Sequence, residues 1–339
     1  MKLLTITVPC YNSAAYVERC LDSLLPAGSE ADIIVIDDGS TDATGEIADR
    51  YAARYPEMVR VIHQENGGHG AGINQGLKHA EGLYFKVVDS DDRLDRASLE
   101  KLMAVLRGFT AEDERLDLLV NDYVYDQAGQ QAVFSVNYRV SMSPGKALTW
   151  EDIRRFPVHK QFMIHSLIYR TQLLRDMPLV LPGHTFYEDN LYIYQPLPYT
   201  RRIYYFNEPL YGYFIGREDQ SIAEKNILGR LDQLTRMTEL VATCYTLEAL
   251  RALPKALRGY MLNNCAGMLA TTSALQFIKN TEESLAMNRR MWKTIRDFDE
   301  ALYLNLRRNP LGRTATLPGK AGQRTLVGGY RFVRKIIRF

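Results

Sequence analysis

Short apolar runs alternate with amphipathic stretches through the first 121 residues. The apolar runs have the length of buried strands: Leu3–Val8, Asp32–Asp37, Met58–His63, Leu83–Val88 and Leu116–Asn121. Helical spacing fills the intervals, and the expected helices end near Leu25, Tyr55, Ala80 and Arg107. Asn12 or Ser13 is a candidate cap for the first helix, and Gly82 for the end of the third. This alternation across short turns predicts an α/β fold with a mainly parallel sheet flanked by helices.

The pattern changes after Asn121. No single period persists between Tyr123 and Lys146, which predicts strands and loops, and Ile203–Phe206 predicts a further strand. From Ile222 to about Leu306 apolar residues recur at helical spacing. Arg308–Gln323 is rich in Gly, Pro and Thr, which predicts a linker. The predicted domains are residues 1–222, in halves 1–121 and 122–222, a helical region 223–306, and a basic linker and tail 307–339.

Charge is distributed unevenly along the 339 residues. Nine Lys and Arg and no Asp or Glu lie between Arg307 and Phe339, so the net charge of +2 divides into +9 there and −7 over the first 306 residues. A mildly acidic body does not suit nucleic-acid binding, whereas a basic tail suits an anionic surface. Met1–Pro9 lacks a signal-peptide pattern, and no apolar run is long enough to span a bilayer. The four cysteines lack metal-site spacing, so we expect free thiols in a cytoplasmic protein.

Polar residues follow four of the predicted strands at their carboxyl ends, where open parallel sheets bind ligands. The clearest case is Val88, which runs directly into Asp89, Asp91 and Asp92. Residues two apart on extended backbone point to the same side, so Asp89 and Asp91 can face one target. Because neighbouring carboxylates repel, the pair is favourable when a cation or a hydroxyl-rich ligand lies between them. This predicts a divalent metal that carries a nucleotide diphosphate, and capping of the next helix is the alternative for any single aspartate.

Together these segments resemble the nucleotide-binding half of family 2 glycosyltransferases of the GT-A type. The matching motifs are TVPCYN (Thr7–Asn12), IDDGSTD (Ile36–Asp42), NGGHGAGINQGLKHAEG (Asn66–Gly82) and VDSDD (Val88–Asp92). Two later segments are similar to the acceptor-side region of bacterial members: LPGHTFYEDNLYIYQPL (Leu181–Leu197) and YGYFIGREDQSI (Tyr211–Ile222). The resemblance covers about residues 1–222 and implies a GT-A fold there.

The resemblance implies roles for the donor side. Pro9 and Tyr11 would form a wall against the nucleobase, and Asp38 would accept a hydrogen bond from it, as from uracil N3–H. Asp89 would contact the ribose, and Asp91 would hold Mn²⁺ or Mg²⁺ across the two phosphates. Asp92 is expected to cap the following segment or to support the site from behind. The implied donor-binding residues are Pro9, Tyr11, Asn12, Asp38, Gly67, His69, Asn74, Lys86, Asp89, Ser90, Asp91 and Arg217, with Asp91 and Asp89 as metal ligands in a DXD motif.

One position departs from the family pattern. Many relatives carry Arg where Ile73 stands, and His69 and Lys86 are the candidates to replace it. The alternative for His69 is an exposed loop residue, and for Lys86 it is pairing with a neighbouring acid. The glycines from Gly67 to Gly72 could cradle phosphate at a helix start. Arg217 follows an aromatic strand and could face the diphosphate.

Glu188 and Asp189 are the most informative residues of the second half. An inverting transferase needs a carboxylate that takes the proton of the acceptor hydroxyl as that hydroxyl attacks the anomeric carbon. The resemblance places this base at Asp189 and gives Glu188 a supporting or acceptor-contacting role. The pair could also cap a helix that begins near Asn190, and the two interpretations are compatible. Four nearby residues suit sugar contacts, with core packing as the alternative for each tyrosine: His184, Tyr187, Tyr192 and Tyr194.

The tail has two faces on a helical wheel. The apolar face comprises Leu326, Tyr330, Val333, Ile336 and Ile337, and the basic face comprises Arg331, Arg334, Lys335 and Arg338. This predicts an interfacial amphipathic helix through which residues 324–339 contact an anionic membrane surface. Docking onto the acidic body, or disorder, is the alternative.

These expectations combine into one function. The chain is expected to be an inverting, metal-dependent enzyme that moves a hexose or N-acetylhexosamine from a UDP-sugar to a cell-envelope polysaccharide, a teichoic-acid-like polymer or a lipid-linked acceptor, in the cytoplasm or on the inner face of the plasma membrane. A nucleotidyltransferase, or a catalytically inactive nucleotide-sugar-binding protein of the same fold, is the alternative. A glycoside hydrolase also uses two carboxylates, but it has no need of four nucleotide-type segments.

Overall fold

The computed structural model describes residues 1–111, 114–127, 134–215 and 223–337. The chain divides into two compact units. The first comprises Met1–Arg154 and Phe162–Gly216, and the second comprises Arg155–Gln161 and Arg217–Phe339. The predicted division after residue 222 falls in the gap between the last two described ranges.

The first unit is built on a sheet that has ten strands in its described residues. In chain order, β1 to β10 are Leu4–Cys10, Ala31–Asp37, Val59–His63, Tyr84–Val87, Arg93–Leu94, Leu118–Gln127, Phe134–Val136, Ala147–Leu148, Leu167–Arg170 and Ile203–Ile215. Across the sheet the order is β3-β2-β1-β4-β9-β6-β10-β5, with β7 beside β6 and β8 beside β10. The first four strands are mutually parallel, as are β6 and β10, and β9 runs antiparallel between these groups. The predicted α/β fold with a mainly parallel sheet is confirmed.

Six helices accompany this sheet in the described residues. In order, α1 to α6 are Val17–Leu24, Thr44–Arg54, His69–His79, Arg96–Arg107, Thr171–Asp176 and Asp189–Tyr194. β1 and β2 are buried along their whole length, as the continuous apolar runs predict. α3 packs on both of them, and this packing places the start of α3 beside their carboxyl ends.

Two predicted helix caps are wrong. α1 begins at Val17 with no side-chain cap, because Asn12 and Ser13 bond to the neighbouring turn instead. α3 ends without a left-handed glycine. Gly82 instead passes so close to β1 that a Cβ there would lie 2.3 Å from the Thr5 backbone nitrogen. This glycine is needed for the close approach of two backbones, not for a helix end.

From residue 223 onward, the described residues of the second unit form helices joined by short connections. Its helices, α7 to α14, are Glu224–Gly229, Leu231–Ala242, Leu247–Arg251, Lys255–Lys279, Glu282–Phe298, Glu300–Arg308, Pro310–Ala315 and Gly319–Ile337. The 25-residue α10 packs against α8, α11, α13 and α14. The predicted C-terminal helical region is therefore confirmed. In the described part of the chain, no helix combines the length and the apolar composition that a bilayer span requires.

Arg308–Gln323, where the sequence predicts a linker, contains α13 and the beginning of α14. Pro310 is the first residue of α13, and Asn309 caps the helix by accepting a 3.1 Å hydrogen bond from the Leu311 N–H. Gly319 has a φ of +69° at the start of α14. The Pro and Gly of this segment thus start and separate short helices.

Candidate active site

The carboxyl ends of β1, β2 and β4 meet at one edge of the sheet, as the sequence predicts. β1 lies between the other two in parallel pairing. Pro9 is buried near the end of β1, and a Cβ added to Gly72 of α3 would lie 3.1 Å from the Pro9 Cβ. Tyr11 follows with 54% of its surface exposed. An exposed aromatic ring at this edge is a surface on which a flat ring can stack.

Polar contacts hold the turns after these strands together. Asn12 has a φ of +49°, and its Oδ1 accepts a 2.8 Å hydrogen bond from the Thr41 N–H. The Oγ atoms of Ser13 and Ser90 lie 2.7 Å apart and join the first turn to the acidic turn Asp89–Asp92. The structure thus gives Asn12 and Ser90 a part in fixing the turns, and their contact with a donor stays a prediction.

Asp38 is only 3% exposed and binds the loop that precedes α3. Its Oδ1 accepts hydrogen bonds from Gln64 Nε2 at 2.6 Å and from the Gly67 N–H at 2.8 Å, and its Oδ2 accepts one from the Gly68 N–H at 2.8 Å. Oδ1 has thus used both of its acceptor sites, whereas Oδ2 can accept one further hydrogen bond. Asp38 and Gly67 therefore hold this loop in place, and the contact of Asp38 with a nucleobase stays a prediction.

The start of α3 also holds the segment Leu181–Asp189. The Asn74 side chain makes two hydrogen bonds with the Leu181 backbone, at 2.8 and 3.0 Å, and the His184 N–H donates to the Gly67 carbonyl at 2.8 Å. A Cβ on Gly70 would lie 2.9 Å from the Glu188 Cγ. Glycine is required here because the two segments touch, a role the sequence does not predict. The predicted donor contact of Asn74 stays a prediction, since its amide is bound to this backbone.

His69 joins the acids of the two halves. Its Nδ1 lies 2.6 Å from Glu188 Oε1, and its Nε2 lies 3.0 Å from Asp89 Oδ1. Burial alone would lower the pKa of His69, but its hydrogen bonds to both carboxylates outweigh burial and raise that pKa well above its usual value. The imidazolium therefore bridges Asp89 of the acidic turn and Glu188 at the start of α6. His69 is exposed, as the sequence-based alternative expects, but it is the first residue of α3 rather than a loop residue, and it pairs with two acids.

We expect His69→Asn to lower the free energy of unfolding by about 2 kcal/mol. Asn is too short to reach both carboxylates, and Glu188, whose side chain is 4% exposed, would keep a buried charge without its partner. Urea denaturation of the variant measures the change. His79→Asn, an exposed histidine at the end of α3, is the matched control and should have little effect.

The double variant His69→Asn/Glu188→Gln separates this bridge from simple packing. Glutamine carries no charge that needs a partner, so the double variant should lose less stability than the sum of the two single variants. Strictly additive losses would contradict the ion bridge.

Asp92 is the support of the acidic turn. It is fully buried, and it accepts hydrogen bonds from the Tyr211 hydroxyl at 2.5 Å and from the Phe214 N–H at 2.7 Å. Burial, reinforced by the negative charges of Asp89 and Asp91, raises the pKa of Asp92 well above its ordinary value. These bonds lock the turn to β10. Asp92 caps no helix, because α4 is capped by Asp95.

Asp89 and Asp91 remain at the surface of the turn. Burial alone would raise the pKa of Asp89, but its hydrogen bond to His69 and the charge of that imidazolium lower it. The backbone carbonyl of Asp91 accepts a 2.6 Å hydrogen bond from Arg19 Nη2. No group of three or more His, Cys, Asp or Glu among the described residues is arranged to hold a metal. Two carboxylates fit a hard cation whose remaining ligands are phosphate and water oxygens.

Behind the acidic turn lies a buried polar cluster that the sequence does not predict. Lys86 is fully buried and donates to the His165 carbonyl at 2.8 Å and to Asn121 Oδ1 at 3.3 Å. Burial lowers the pKa of Lys86 to about 7, and burial together with the charge of Lys86 lowers the pKa of His165 to about 3. The His165 ring stacks on Tyr211 and Tyr213. The only signal in the sequence is a lone histidine within the apolar stretch Phe162–Tyr169.

Glu188 and Asp189 stand at the start of α6, on a strained stretch of backbone. Tyr187 has a φ of +70° and His184 a φ of +47°, values that side chains other than glycine rarely adopt. Burial, with the charge of Glu188 next in importance, raises the pKa of Asp189 to about 7. A carboxyl group with such a pKa is present in both its protonated and its deprotonated form at neutral pH, so it can take up a proton there. Glu188 beside it is paired with His69, and the role of Asp189 as the base stays a prediction.

The residues predicted to contact sugar differ in their burial. Tyr192 and Tyr194 are buried in the core, which agrees with the packing alternative, whereas His184 is exposed. Arg217 lies outside the described residues.

Comparison with known proteins gives a consistent picture. The family described as Glycosyl transferase family 2 matches residues 5–112. EpsJ of Bacillus subtilis, an uncharacterized glycosyltransferase, is 42% identical over 118 residues, which are 34% of this chain and 33% of EpsJ. TarS of Staphylococcus aureus, a poly(ribitol-phosphate) beta-N-acetylglucosaminyltransferase, is 27% identical over 233 residues, which are 66% of this chain and 37% of TarS. The matches span about a third of the length of each relative.

Solved structures share the fold. The crystal structure of S. aureus TarS 1–349 in complex with UDP has a TM-score of 0.67 at 21% identity and covers 98% of this chain and 91% of that chain. A further structure of the same protein contains UDP-GlcNAc. The mannosyltransferase PcManGT from Pyrobaculum calidifontis, in complex with GDP-Man and Mn²⁺, has a TM-score of 0.52 at 16% identity and covers 98% of this chain and 86% of that chain.

Proposed function

Since residues 5–112 match the family 2 glycosyltransferases and the chain has a GT-A fold, we propose that it transfers a hexose or N-acetylhexosamine from a UDP-sugar, with inversion. The acceptor is a hydroxyl of a cell-envelope polysaccharide, a teichoic-acid-like polymer or a lipid-linked glycan. The observation that carries this proposal is the geometry around Asp189. Its carboxylate has a pKa raised to about 7, next to a glutamate that His69 connects to the acidic turn.

The proposed reaction is a single in-line displacement. Asp189 takes the proton of the acceptor hydroxyl as its oxygen attacks the anomeric carbon and the bond to UDP breaks. Glu188 is held by its hydrogen bond to His69. Burial, followed by the charge of Glu188, keeps the pKa of Asp189 raised. Buried Asp92 and the Ser13–Ser90 contact fix the turn that faces the donor. The reacting groups are thereby positioned before the substrate arrives.

The proposed donor is a UDP-sugar held at the carboxyl ends of β1, β2 and β4. Tyr11 offers a stacking face to the nucleobase, and Asp38 retains capacity to accept one more hydrogen bond. The complexes of TarS with UDP and UDP-GlcNAc support this choice of nucleotide. Thermal unfolding against a panel of nucleotide sugars identifies which sugar the donor carries.

Asp91, with Asp89, is proposed to hold Mn²⁺ or Mg²⁺. Asp89 and Asp91 place two negative charges on one turn, which suits a hard cation; burial and then these two charges raise the pKa of Asp92 beside them. When bound, the cation would neutralise charge on the departing diphosphate. The Mn²⁺ in the complex of the mannosyltransferase PcManGT supports this proposal. The protein's own contribution is to hold Asp89 at a lowered pKa, so that it is ionised at neutral pH.

The decisive test is thermal unfolding against UDP-, GDP- and CDP-sugars, each with and without Mn²⁺. A ligand at 100 times its Kd stabilises the folded state by about 2.7 kcal/mol, which raises the melting temperature measurably. We expect the largest rise with one UDP-sugar plus Mn²⁺. Asp91→Ala should abolish the part of the rise that depends on Mn²⁺, whereas Glu57→Ala, an exposed carboxylate of the same unit, should retain it.

Two outcomes favour the rival functions. Release of pyrophosphate from UTP would identify a nucleotidyltransferase. UDP binding without turnover of any UDP-sugar would identify a catalytically inactive binding protein. A Mn²⁺-dependent rise that survives Asp91→Ala would remove Asp91 from the metal site.

We also propose that the protein is peripheral on the inner face of the plasma membrane. The support is the C-terminal segment from Arg307, which has nine basic and no acidic residues. An anionic leaflet attracts such a segment by about 1 kcal/mol per basic residue close to the surface.

A further inference from the structure

The second unit has a cavity of about 430 Å³ at its C-terminal end. The lining comes from the end of α12, from α13 and from the residues that lead into α14, and it comprises Leu304, Arg307, Arg308, Arg313, Thr316, Leu317 and Pro318. Three of these seven residues are arginines and none is acidic. All three arginines are exposed. The cavity is therefore an open groove with a strongly positive lining.

The arginines of this groove have little to bind within the protein. Arg307 lies over the Tyr303 ring, with the guanidinium carbon 5.5 Å from the ring centroid, and donates to its hydroxyl at 3.2 Å. Arg308 and Arg313 make no ion pair with any described residue. Clustered guanidinium groups repel one another, and guanidinium geometry matches two oxygens of a phosphate. The groove thus has the chemistry of a phosphate site.

The rim of the groove is apolar. Leu304 is 43% exposed and Leu317 is 37% exposed. Farther along, α14 exposes Phe332 at 65% and Val333 at 50%. Positive charges beside exposed apolar side chains match a phospholipid surface. The charges contact the headgroup phosphates, and the apolar side chains reach the acyl boundary.

The helix α14 itself is less available than its sequence predicts. Leu326 is buried at 6% exposure, and Arg334 forms a 3.0 Å ion pair with Glu224 of α7. Part of the apolar face and one basic residue are therefore used to pack α14 into the second unit. The arginines in the groove are not used for packing or for ion pairs of this kind among the described residues.

From these observations we infer that the arginine groove is a headgroup site for anionic phospholipids. Arg308 and Arg313 bind the lipid phosphate, Arg307 is oriented by Tyr303, and Leu304 and Leu317 contact the acyl boundary. This inference deepens the proposed membrane contact and rests on it. It is independent of whether the enzyme transfers sugar.

The test is co-sedimentation of the full chain with vesicles of phosphatidylcholine containing about one-third phosphatidylglycerol. The variant Arg307→Gln/Arg308→Gln/Arg313→Gln should bind about 100-fold more weakly, the equivalent of about 1 kcal/mol per arginine. The matched control removes three exposed charges elsewhere in the same unit, as Lys225→Gln/Arg236→Gln/Arg289→Gln, and should bind within about threefold of the unaltered protein, because those charges lie outside the groove. If the triple groove variant does not fold, Arg308→Glu replaces it with the same expected direction.

Each other result overturns the inference in a different way. Equal loss in the control variant would mean that only total charge matters. Normal binding by the groove variant with loss in Arg331→Gln/Lys335→Gln would assign the membrane contact to α14 alone. Displacement from vesicles by millimolar inorganic phosphate would identify a free-phosphate site. Absence of vesicle binding by the unaltered chain would remove both the groove and the proposed membrane contact, and would leave the transferase proposal untouched.

Discussion

Asp189→Asn should lower the rate of sugar transfer by about a thousandfold while leaving UDP binding intact. General-base catalysis contributes about 10²–10⁴ to a rate, and an amide cannot take the proton of the acceptor hydroxyl. Transfer is measured as UDP release in the presence of acceptor, and binding as the UDP-dependent rise in melting temperature. The matched control is Asp176→Asn, an exposed carboxylate at the end of α5, which should retain full activity.

The pH profile identifies the same group. Burial raises the pKa of Asp189 to about 7, and the base acts in its deprotonated form. The transfer rate of the unaltered enzyme should therefore rise with pH up to about 7 and then level off, and this rise should be absent from Asp189→Asn. A variant that keeps the transfer rate, or keeps the same rise with pH, would exclude Asp189 as the base.

Lys86→Met should make the free energy of unfolding change less with pH above about 7 than it does in the unaltered protein. The pKa of Lys86 is about 7 in the folded protein and about 10.4 in an unfolded chain. Between these values the unfolded state holds a proton that the folded state has released, so the free energy of unfolding rises with pH. From pH 7 to pH 9, the unaltered protein should gain up to about 1.4 kcal/mol per pH unit relative to Lys86→Met. Urea denaturation at several pH values measures this difference.

Lys78→Met is the control for this experiment, because Lys78 is exposed on α3. Its stability should follow that of the unaltered protein across the same pH range. A Lys86→Met variant with the same pH dependence as the unaltered protein would mean that Lys86 stays charged in the folded state, with its charge balanced by Asp89.

The donor-side architecture was predictable because it depends on local patterns. Apolar runs such as Asp32–Asp37 give buried strands, and parallel strands bring their carboxyl ends to one edge whatever follows in the chain. Strand lengths were less predictable. β6 and β10 extend well beyond their predicted ends, because pairing along the sheet continues through polar residues such as Asn121 and Asp126. The spacing of apolar residues in the sequence does not indicate that the strands continue to pair there.

The inner half of the site was not predictable, since it depends on residues distant in sequence. Lys86, Asn121 and His165 come from three strands or turns and meet only when β4, β9 and β6 lie side by side. The bridge from His69 to Glu188 spans 119 residues of chain. Gly68 and Gly70 illustrate the same point: the sequence predicts that they cradle phosphate, which stays a prediction, but it gives no sign that their lack of side chains admits the segment that carries Glu188.

Asp92 receives its two hydrogen bonds from residues 119 and 122 positions farther along the chain. During synthesis, β10 therefore has to leave the ribosome before Asp92 of the acidic turn can form its hydrogen bonds to that strand. A fragment confined to the family-matched residues 5–112 would bury an aspartate without its donors and leave the edge of β4 open for pairing with other chains. The shortest piece in which both hydrogen bonds to Asp92 can form therefore ends no earlier than Phe214, close to the end of β10 at Ile215.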